Sequence, residues 1–370
     1  MARVLLQNVW KRYGKVEAVK EVSFEVRDRE FFCLLGPSGC GKSSTLRMIA
    51  GLEEVSQGEI YIGDRVVNEV EPKDRDVAMV FESYALYPHK TVYDNMAFPL
   101  RIRKGQYTAA QIKDRVAHAA KILEIDEFLN RYPRQLSGGQ KQRVAIGRAI
   151  VREPQVFLMD EPISHLDAKL RAQMRGELKH LQKVLKSTMV YVTHDQLEAM
   201  SMADRIAIMN RGVLQQVGTP DEVFNHPVNN IVAGFIGDPP MNFIDCQLKV
   251  EGDDWWLGNH AFKIKILPEL VAKFKQHRSG FSEAMDVVLG IRPENFSIGS
   301  SKKEEDSFQA EVYVTEPLGE DQIVDVVISQ AKVKLKTSVD VQVNMGDVVW
   351  LTIHKKKMHL FNKEDGIAYF

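Results

Sequence analysis

One stretch restricts the fold more than any other: "FFCLLGPSGCGKSSTLRMIAG", residues 31–51. Its first five residues form a continuous apolar run, as expected of a strand buried on both faces of a parallel sheet. The next eight, Gly36 to Ser43, fit G-x-x-x-x-G-K-[ST] and lead into a helical pattern. Strand, glycine loop and helix therefore occur in the order a phosphate-cradling loop requires. The glycines let backbone N–H groups curl around phosphate oxygens at the positive end of a helix. Gly36, Pro37, Ser38, Gly39, Cys40, Gly41, Lys42, Ser43 and Ser44 are thus candidate nucleotide-binding residues, Lys42 as a mobile charge and Ser43 as a hydroxyl for magnesium. The alternative is a glycine-rich turn that binds nothing.

The chain has 370 residues, 44% hydrophobic and 27% charged, enough for two or three domains with proper cores. Further apolar runs at 77–81, 156–160, 189–193 and 205–209 alternate with helical, charge-rich segments at 110–130, 139–152 and 168–187. This alternation predicts an α/β sheet flanked by helices. The first ~30 residues alternate like half-exposed antiparallel strands and predict a side sheet. Glycines and prolines in "GFIGDPPMNF" (234–243) break the pattern, and short strands follow: "VVLGIR", "QAEVYVTEPLG", "QIVDVVI", "DVVWLTIH" and "MHLF". The expected domains are 1–235, with a helical subdomain at about 88–152, and an all-β, barrel-like 236–370 with a helical insert near 267–277.

Lys+Arg 49 against Asp+Glu 50 leaves a net charge of -1, with no basic block to track a nucleic acid backbone. Cys33, Cys40 and Cys246 show neither CxxC nor zinc spacing, which fits a reducing cytosol. The opening residues are too short an apolar stretch for a signal peptide, and no run approaches the ~20 residues of a membrane span. Work at a membrane would need a partner.

A second buried strand ends in "VFLMDEP", so Asp160 and Glu161 sit at a strand's C-terminal edge, aimed at the same phosphate site. Asp160 can hold magnesium through water. Glu161 is the candidate general base for an attacking water, or else a helix-capping acid before Pro162. In "LSGGQKQRVAIGRAI" (136–150), Ser137, Gly138, Gly139 and Gln140 start a helix whose first N–H groups can bind a second anion, or form an ordinary N-cap.

The ordered set "GPSGCGKS", "LSGGQ", "FLMDEP", "ISHLDAKLR" and "VTHDQLEAM" resembles the nucleotide-binding subunit of an ATP-binding cassette (ABC) transporter. The resemblance implies a P-loop NTPase cassette, mainly a parallel sheet with an antiparallel side sheet and a helical subdomain, and it implies ATP hydrolysis with Mg2+. It assigns Tyr13 to stacking on adenine, His194 to touching the γ-phosphate, and Ser164 to Asp167 to a loop crossing a dimer interface. It also explains the second anion site, since each ATP would lie between one subunit's glycine loop and Ser137–Gln140 of another. A homodimer or close heterodimer is therefore expected, peripheral on the cytoplasmic face of the membrane.

Between these motifs, "ESYALYPHKT" (82–91) is crowded with Tyr84, Tyr87, Pro88 and His89. Exposed aromatics of this kind suit a protein contact, and the resemblance implies two transmembrane permease subunits docking near Tyr84–Thr91. One or two of the aromatics could instead pack the helical subdomain. "QQVGTPDEVFNHP", "GFIGDPPMNF" and "LGIRPE" are similar to the maltose and glycerol-phosphate branch of importers, which carries an oligonucleotide-fold-like regulatory domain. That branch implies uptake of sugars, oligosaccharides or sugar phosphates, delivered by an external binding protein. The alternatives are import of ferric iron, sulfate, molybdate or polyamine, or a non-transport ABC ATPase.

The family places a glutamine where this chain has Glu82, at the end of the 77–81 run, to meet magnesium and the γ-phosphate. A carboxylate keeps an oxygen ligand, adds a negative charge and loses the amide donor. Glu82 could bind the metal more tightly, repel the γ-phosphate and slow turnover, or swing away and leave its place to a water. Slower hydrolysis with retained binding is the expectation. Val80 and Phe81 are expected in the core.

Overall fold

Phe31–Leu35, with all five residues buried, lies inside a six-stranded sheet. Thr188–Thr193 and Arg205–Asn210 pair with it in parallel on its two sides. Val156–Asp160 and Val77–Val80 extend the parallel order beyond 188–193, while Val213–Gly218 closes the opposite edge antiparallel. Parallel strands all end at one edge of a sheet. The loops that leave Leu35, Val80, Asp160 and Thr193 therefore emerge side by side, which brings distant motifs together. The structure is a computed structural model describing residues 2–370 apart from 104, 279–283, 303 and 329–330.

A second, antiparallel sheet has the order Val16–Val26, Val4–Tyr13, Gln57–Ile62, Arg65–Val66. The alternating N-terminal segments form its first two strands as expected; 57–62 and 65–66 join them without a sequence signal strong enough to announce it. Its apolar face shares one core with the main sheet, where Leu6, Phe24, Phe32, Leu46 and Leu158 are buried together. The helical segments form Ala109–Ile122, Gly138–Ile150 and Ala168–Leu185. The first stops well short of 130 because Glu124 takes a left-handed φ of 52° and a 3-10 turn follows at Asp126–Phe128.

The strand Val77–Val80 also ends earlier than its apolar run. Val80 is buried, whereas Phe81 lies outside the strand and only half-buried, which corrects its placement in the core. Tyr87 packs its ring 4.7 Å from that of Phe98, and Asn95 holds its backbone through Nδ2 to the Tyr87 carbonyl at 3.1 Å and Oδ1 from the Tyr87 N–H at 2.8 Å. Tyr87 thus packs the helical region, while Pro88 and His89 are exposed.

The chain divides into compact units Met1–Pro220 and Asp221–Phe370. In the second, two five-stranded sheets enclose one core containing Leu248, Leu257, Phe274, Leu289, Val324 and Leu351. The first sheet runs Lys263–Lys265, Asp254–Gly258, Asn242–Glu251, Ala284–Ile291, His359–Asn362; the second runs Phe296–Gly299, Val348–Ile353, Phe308–Leu318, Asp321–Ile328, Ala331–Ser338. The helical insert is Pro268–His277.

The division falls ahead of the expected junction at 235–236, and Arg292 explains why. This buried residue of "LGIRPE" donates to the Ile236 carbonyl at 2.5 Å and the Phe224 carbonyl at 2.6 Å, with its guanidinium carbon 3.7 Å from the Phe224 ring centroid. The backbone of Asn230 also donates to Gly366 at 2.8 Å. Residues 224–236 are thereby bonded into the second unit. Arg292→Met would remove the donor from one buried carbonyl, at ~1–3 kcal/mol, and from one half-buried carbonyl at less. Urea unfolding of the full chain is expected to show the transition of this unit moved to lower urea; an unchanged midpoint would contradict the role given to Arg292.

Candidate functional site

The phosphate loop is shaped by backbone crowding. A Cβ on Gly36 would lie 2.2 Å from the Met209 carbonyl oxygen, and one on Gly41, at φ 101°, would lie 2.4 Å from that of Ala18. Only glycine fits so close to backbone. The loop is thus wedged between the main sheet and the side sheet. Gly41 caps helix Lys42–Ala50 without a side chain, and the first helical turn carries no acid. The free N–H groups and the positive end of the helix dipole remain available to an anion.

Lys42 Nζ donates to the Gly36 carbonyl at 2.7 Å and the Pro37 carbonyl at 2.9 Å. The ammonium is thereby carried inside the curve of the loop. Ser38 and Gly39 are exposed at its tip. Cys40 is buried in the core, where burial pushes its thiol up, and its Sγ lies 3.9 Å from Lys42 Nζ beneath the loop. Tyr13, 43% exposed, reaches Ser44 Oγ with its hydroxyl at 3.5 Å, and Lys11 Nζ stands 4.7 Å from its ring centroid. The ring is thus placed beside the loop, partly exposed.

Ser43 Oγ donates to Asp160 Oδ1 at 2.9 Å, which joins the helix start to the strand end 117 residues later. Burial raises the Asp160 carboxyl above the ordinary aspartate range; the Ser43 hydroxyl and Arg47 oppose the shift, while the charges of Glu161 and Glu82 add to it. A desolvated carboxylate with acidic neighbours is a place where a hard cation is favoured, and the oxygen pair Ser43–Asp160 is the donor chemistry such a cation takes.

Glu161 follows in a left-handed conformation, φ 45°, and its N–H donates to the Val192 carbonyl at 3.0 Å. Its Oε2 lies 2.8 Å from His194 Nδ1. A carboxylate can only accept, so the proton of this contact belongs to Nδ1. Two residues at the ends of adjacent strands are thus held as a pair.

Glu82, expected to meet magnesium, lies at the mouth of the 164–167 loop. Its Oε1 accepts from Ser164 Oγ at 3.4 Å and lies 3.5 Å from His165 Nε2, and among the described residues no hydrogen bond ties it to Ser43 or Asp160. Ser164 Oγ also donates to the Glu161 carbonyl at 2.9 Å, so the 82 loop and the 164–167 loop meet beside the Glu161–His194 pair. Arg171 closes this loop, donating to the carbonyls of Ser164 at 3.2 Å and Leu166 at 3.1 Å and pairing with Asp195 at 3.4 Å. His165 belongs to the expected Ser164–Asp167 loop and Arg171 to the string "ISHLDAKLR", but the individual contacts of His165 with Glu82 and of Arg171 with Asp195 join residues too far apart in the chain to be legible there. Asp167 accepts from the Leu170 N–H at 2.9 Å and caps helix Ala168–Leu185.

The second helix start carries a capping box. Ser137 Oγ accepts from the Gln140 N–H at 3.3 Å, and Gln140 Oε1 from the Ser137 N–H at 2.9 Å. Gly138 and Gly139 leave room for Leu166 and Leu170, whose carbons would lie 3.2 and 3.1 Å from an added Cβ. Among the described residues no hydrogen bond or ion pair joins Ser137, Gly138, Gly139 or Gln140 to the loop at 36–44.

Residues 19–164 match the ABC transporter family model, 237–296 the MalK OB fold domain and 289–361 the TOBE domain. The chain is 52% identical to the trehalose/maltose import ATP-binding protein MalK of Thermococcus litoralis, over 100% of both chains. It is 47% identical to the sulfoquinovosyl glycerol transport ATP-binding protein SmoE of Agrobacterium fabrum, over 98% of each. It is also 47% identical to the sn-glycerol-3-phosphate import ATP-binding protein UgpC of Cupriavidus necator, over 99% of each. The ATP-binding cassette MJ0796, solved as a dimer bound to ADP and phosphate, superposes with a TM-score of 0.53 at 33% identity, covering 59% of this chain and 98% of that one. The chain therefore belongs to the ABC transporter family, as an ATP-binding and ATP-hydrolysing subunit.

Proposed function

We propose that two copies of this chain close head to tail around two ATP molecules beneath a pair of permease subunits and drive the import of a carbohydrate or sugar phosphate. The observation that carries the reading is the separation within one chain of two phosphate-directed helix starts, Gly41–Lys42 and Ser137–Gly138. Each is half of a site. A partner turned head to tail supplies the missing half to both.

Within each site the chain's own groups divide the work. The loop N–H groups from Gly36 to Ser44 and the Lys42 ammonium bind the phosphates, and Tyr13 stacks on the base. Ser43 and Asp160 hold magnesium, which neutralises charge on the phosphates when bound. Its remaining ligands would come from phosphate and water. Glu161 accepts the proton of the attacking water, and His194 orients Glu161 through the Nδ1 contact and meets the γ-phosphate. The Ser164–Asp167 loop meets the partner copy.

No helix among the described residues is long and apolar enough to cross a membrane. The chain's proposed contact with the permease subunits is the face near Tyr84–Thr91. The cargo class rests on relatives named for trehalose and maltose, sulfoquinovosyl glycerol, and sn-glycerol-3-phosphate.

Three outcomes test this reading. Glu161→Gln is expected to retain ATP-driven dimerisation on gel filtration while turnover falls by roughly 10²–10⁴-fold; unchanged hydrolysis would refute the base assignment. Glu82→Gln removes the negative charge held beside Ser164 and His165, next to the Glu161–His194 pair, and is expected to raise the ATPase rate severalfold, whereas an unchanged rate would show that these contacts already keep that charge out of the reaction. Cells lacking the chain are expected to lose ATP-dependent uptake of an oligosaccharide or sugar phosphate; intact saccharide uptake with lost sulfate or iron uptake would overturn the cargo class.

A further inference from the structure

The second unit carries polar chemistry that its packing does not require. Along Asn242–Glu251 the side chains of Ile244, Cys246 and Leu248 are buried, and the alternate residues Asp245, Gln247, Lys249 and Glu251 face outward. The strand register sets Lys249 opposite Trp256, and Gln247 between Gly258 and Asp286. These residues help to line a cavity of about 550 Å3. That is the size of a small-molecule site, ~300–1,000 Å3.

Two neighbouring tryptophans have separate roles here. Trp255 is buried, its ring 5.5 Å from that of Phe274 in the core. Trp256 turns the other way and stands half-buried at the cavity, with Lys263 Nζ 4.5 Å from its ring centroid. A tryptophan placed on a polar outer face offers a flat apolar surface beside hydrogen-bonding groups. Gln247 Nε2 donates to Asp286 Oδ1 at 3.2 Å, which leaves the amide oxygen and the second carboxylate oxygen to accept. Lys249 has no ion pair among the described residues and can donate. Sugar hydroxyls, which donate and accept at once, match such a mixture.

Charge selects among possible occupants. Asp245, Glu251 and Asp286 are balanced around the cavity by Lys249, Lys263 and Lys363. Two of these pairs are closed, Lys263–Glu251 at 2.6 Å and Lys363–Asp245 at 3.4 Å. The cavity thus lacks the positive field that would draw a phosphate or a nucleic acid backbone. OB folds take oligosaccharides or oligonucleotides over their second and third strands. Trp256 and Lys263 lie on the second and third strands of the segment that matches an OB fold domain.

We infer that this cavity is a binding site for a neutral oligosaccharide, stacked on Trp256 and hydrogen-bonded by Gln247, Asp286 and Lys249. It is separate from the nucleotide site and stands independently of the transport reading. The test is calorimetric titration of the full chain, with its nucleotide site filled by ADP, using maltotriose, trehalose and cellobiose, and with glucose 6-phosphate and a short oligothymidylate as anionic probes. At least one neutral saccharide is expected to bind saturably. Trp256→Ala is expected to weaken that binding by roughly tenfold or more, and Asp286→Asn to weaken it less, with ATP hydrolysis unchanged in both variants. Binding of none of the three saccharides, binding unaffected by both substitutions, or binding of either anionic probe that Trp256→Ala removes would overturn the assignment. Failure with ATP hydrolysis intact leaves the ATPase reading standing.

Discussion

The close approach of backbone at Gly36 and Gly41 is the constraint on which the rest of the nucleotide site depends. The loop after Phe31–Leu35 passes so near the carbonyls of Met209 and Ala18 that no side chain fits. That crowding curls the loop, frees the first N–H groups of the following helix, and encloses the Lys42 ammonium between the carbonyls of Gly36 and Pro37. Met209 belongs to the main sheet and Ala18 to the side sheet. The side sheet is therefore part of the phosphate site as well as of the core.

From this fixed loop, the parallel order of the main sheet brings in the remaining groups. Asp160 and Thr193 end adjacent strands, which is why Glu161 and His194 meet at 2.8 Å although they lie 33 residues apart. Ser164 links that pair to Glu82. A change in the position of the 164–167 loop would then move Glu82 and the Glu161 backbone together. Arg171, bonded to Ser164, Leu166 and Asp195, ties the same loop to the helix after His194. Loop position and the base–histidine pair are mechanically coupled through a handful of hydrogen bonds.

How much of this was legible in the sequence follows from the range of each interaction. The loop at 36–44 could be read because strand, glycines, Lys42 and Ser43 are contiguous. Asp160, Glu161 and His194 could be read because each directly follows a buried apolar run, and strand ends share an edge. The contact of Glu82 with His165 could not be read, since it depends on how two loops settle over one another. The same holds for Arg171, an ordinary charged position on a helix, and for the strands at 57–62 and 65–66, which acquire their place only by pairing with Val4–Tyr13. Phe81 looked like core because the run was apolar, yet the strand ends one residue before it. Residues 224–235 looked like an extension of the first domain, but the bonds of Arg292 to Phe224 and Ile236 draw this segment into the second unit.

The central claim is that the loop at 36–44 of one copy meets the helix start at 137–140 of another. Ser38 and Ser137 are both exposed and can carry single cysteines. The most direct measurement mixes a chain bearing only Ser38→Cys with a chain bearing only Ser137→Cys and follows disulfide formation with and without ATP. A mixed disulfide that appears with ATP is the expected result. Disulfides only between identical chains, or no mixed product when ATP is bound, would contradict the head-to-tail arrangement.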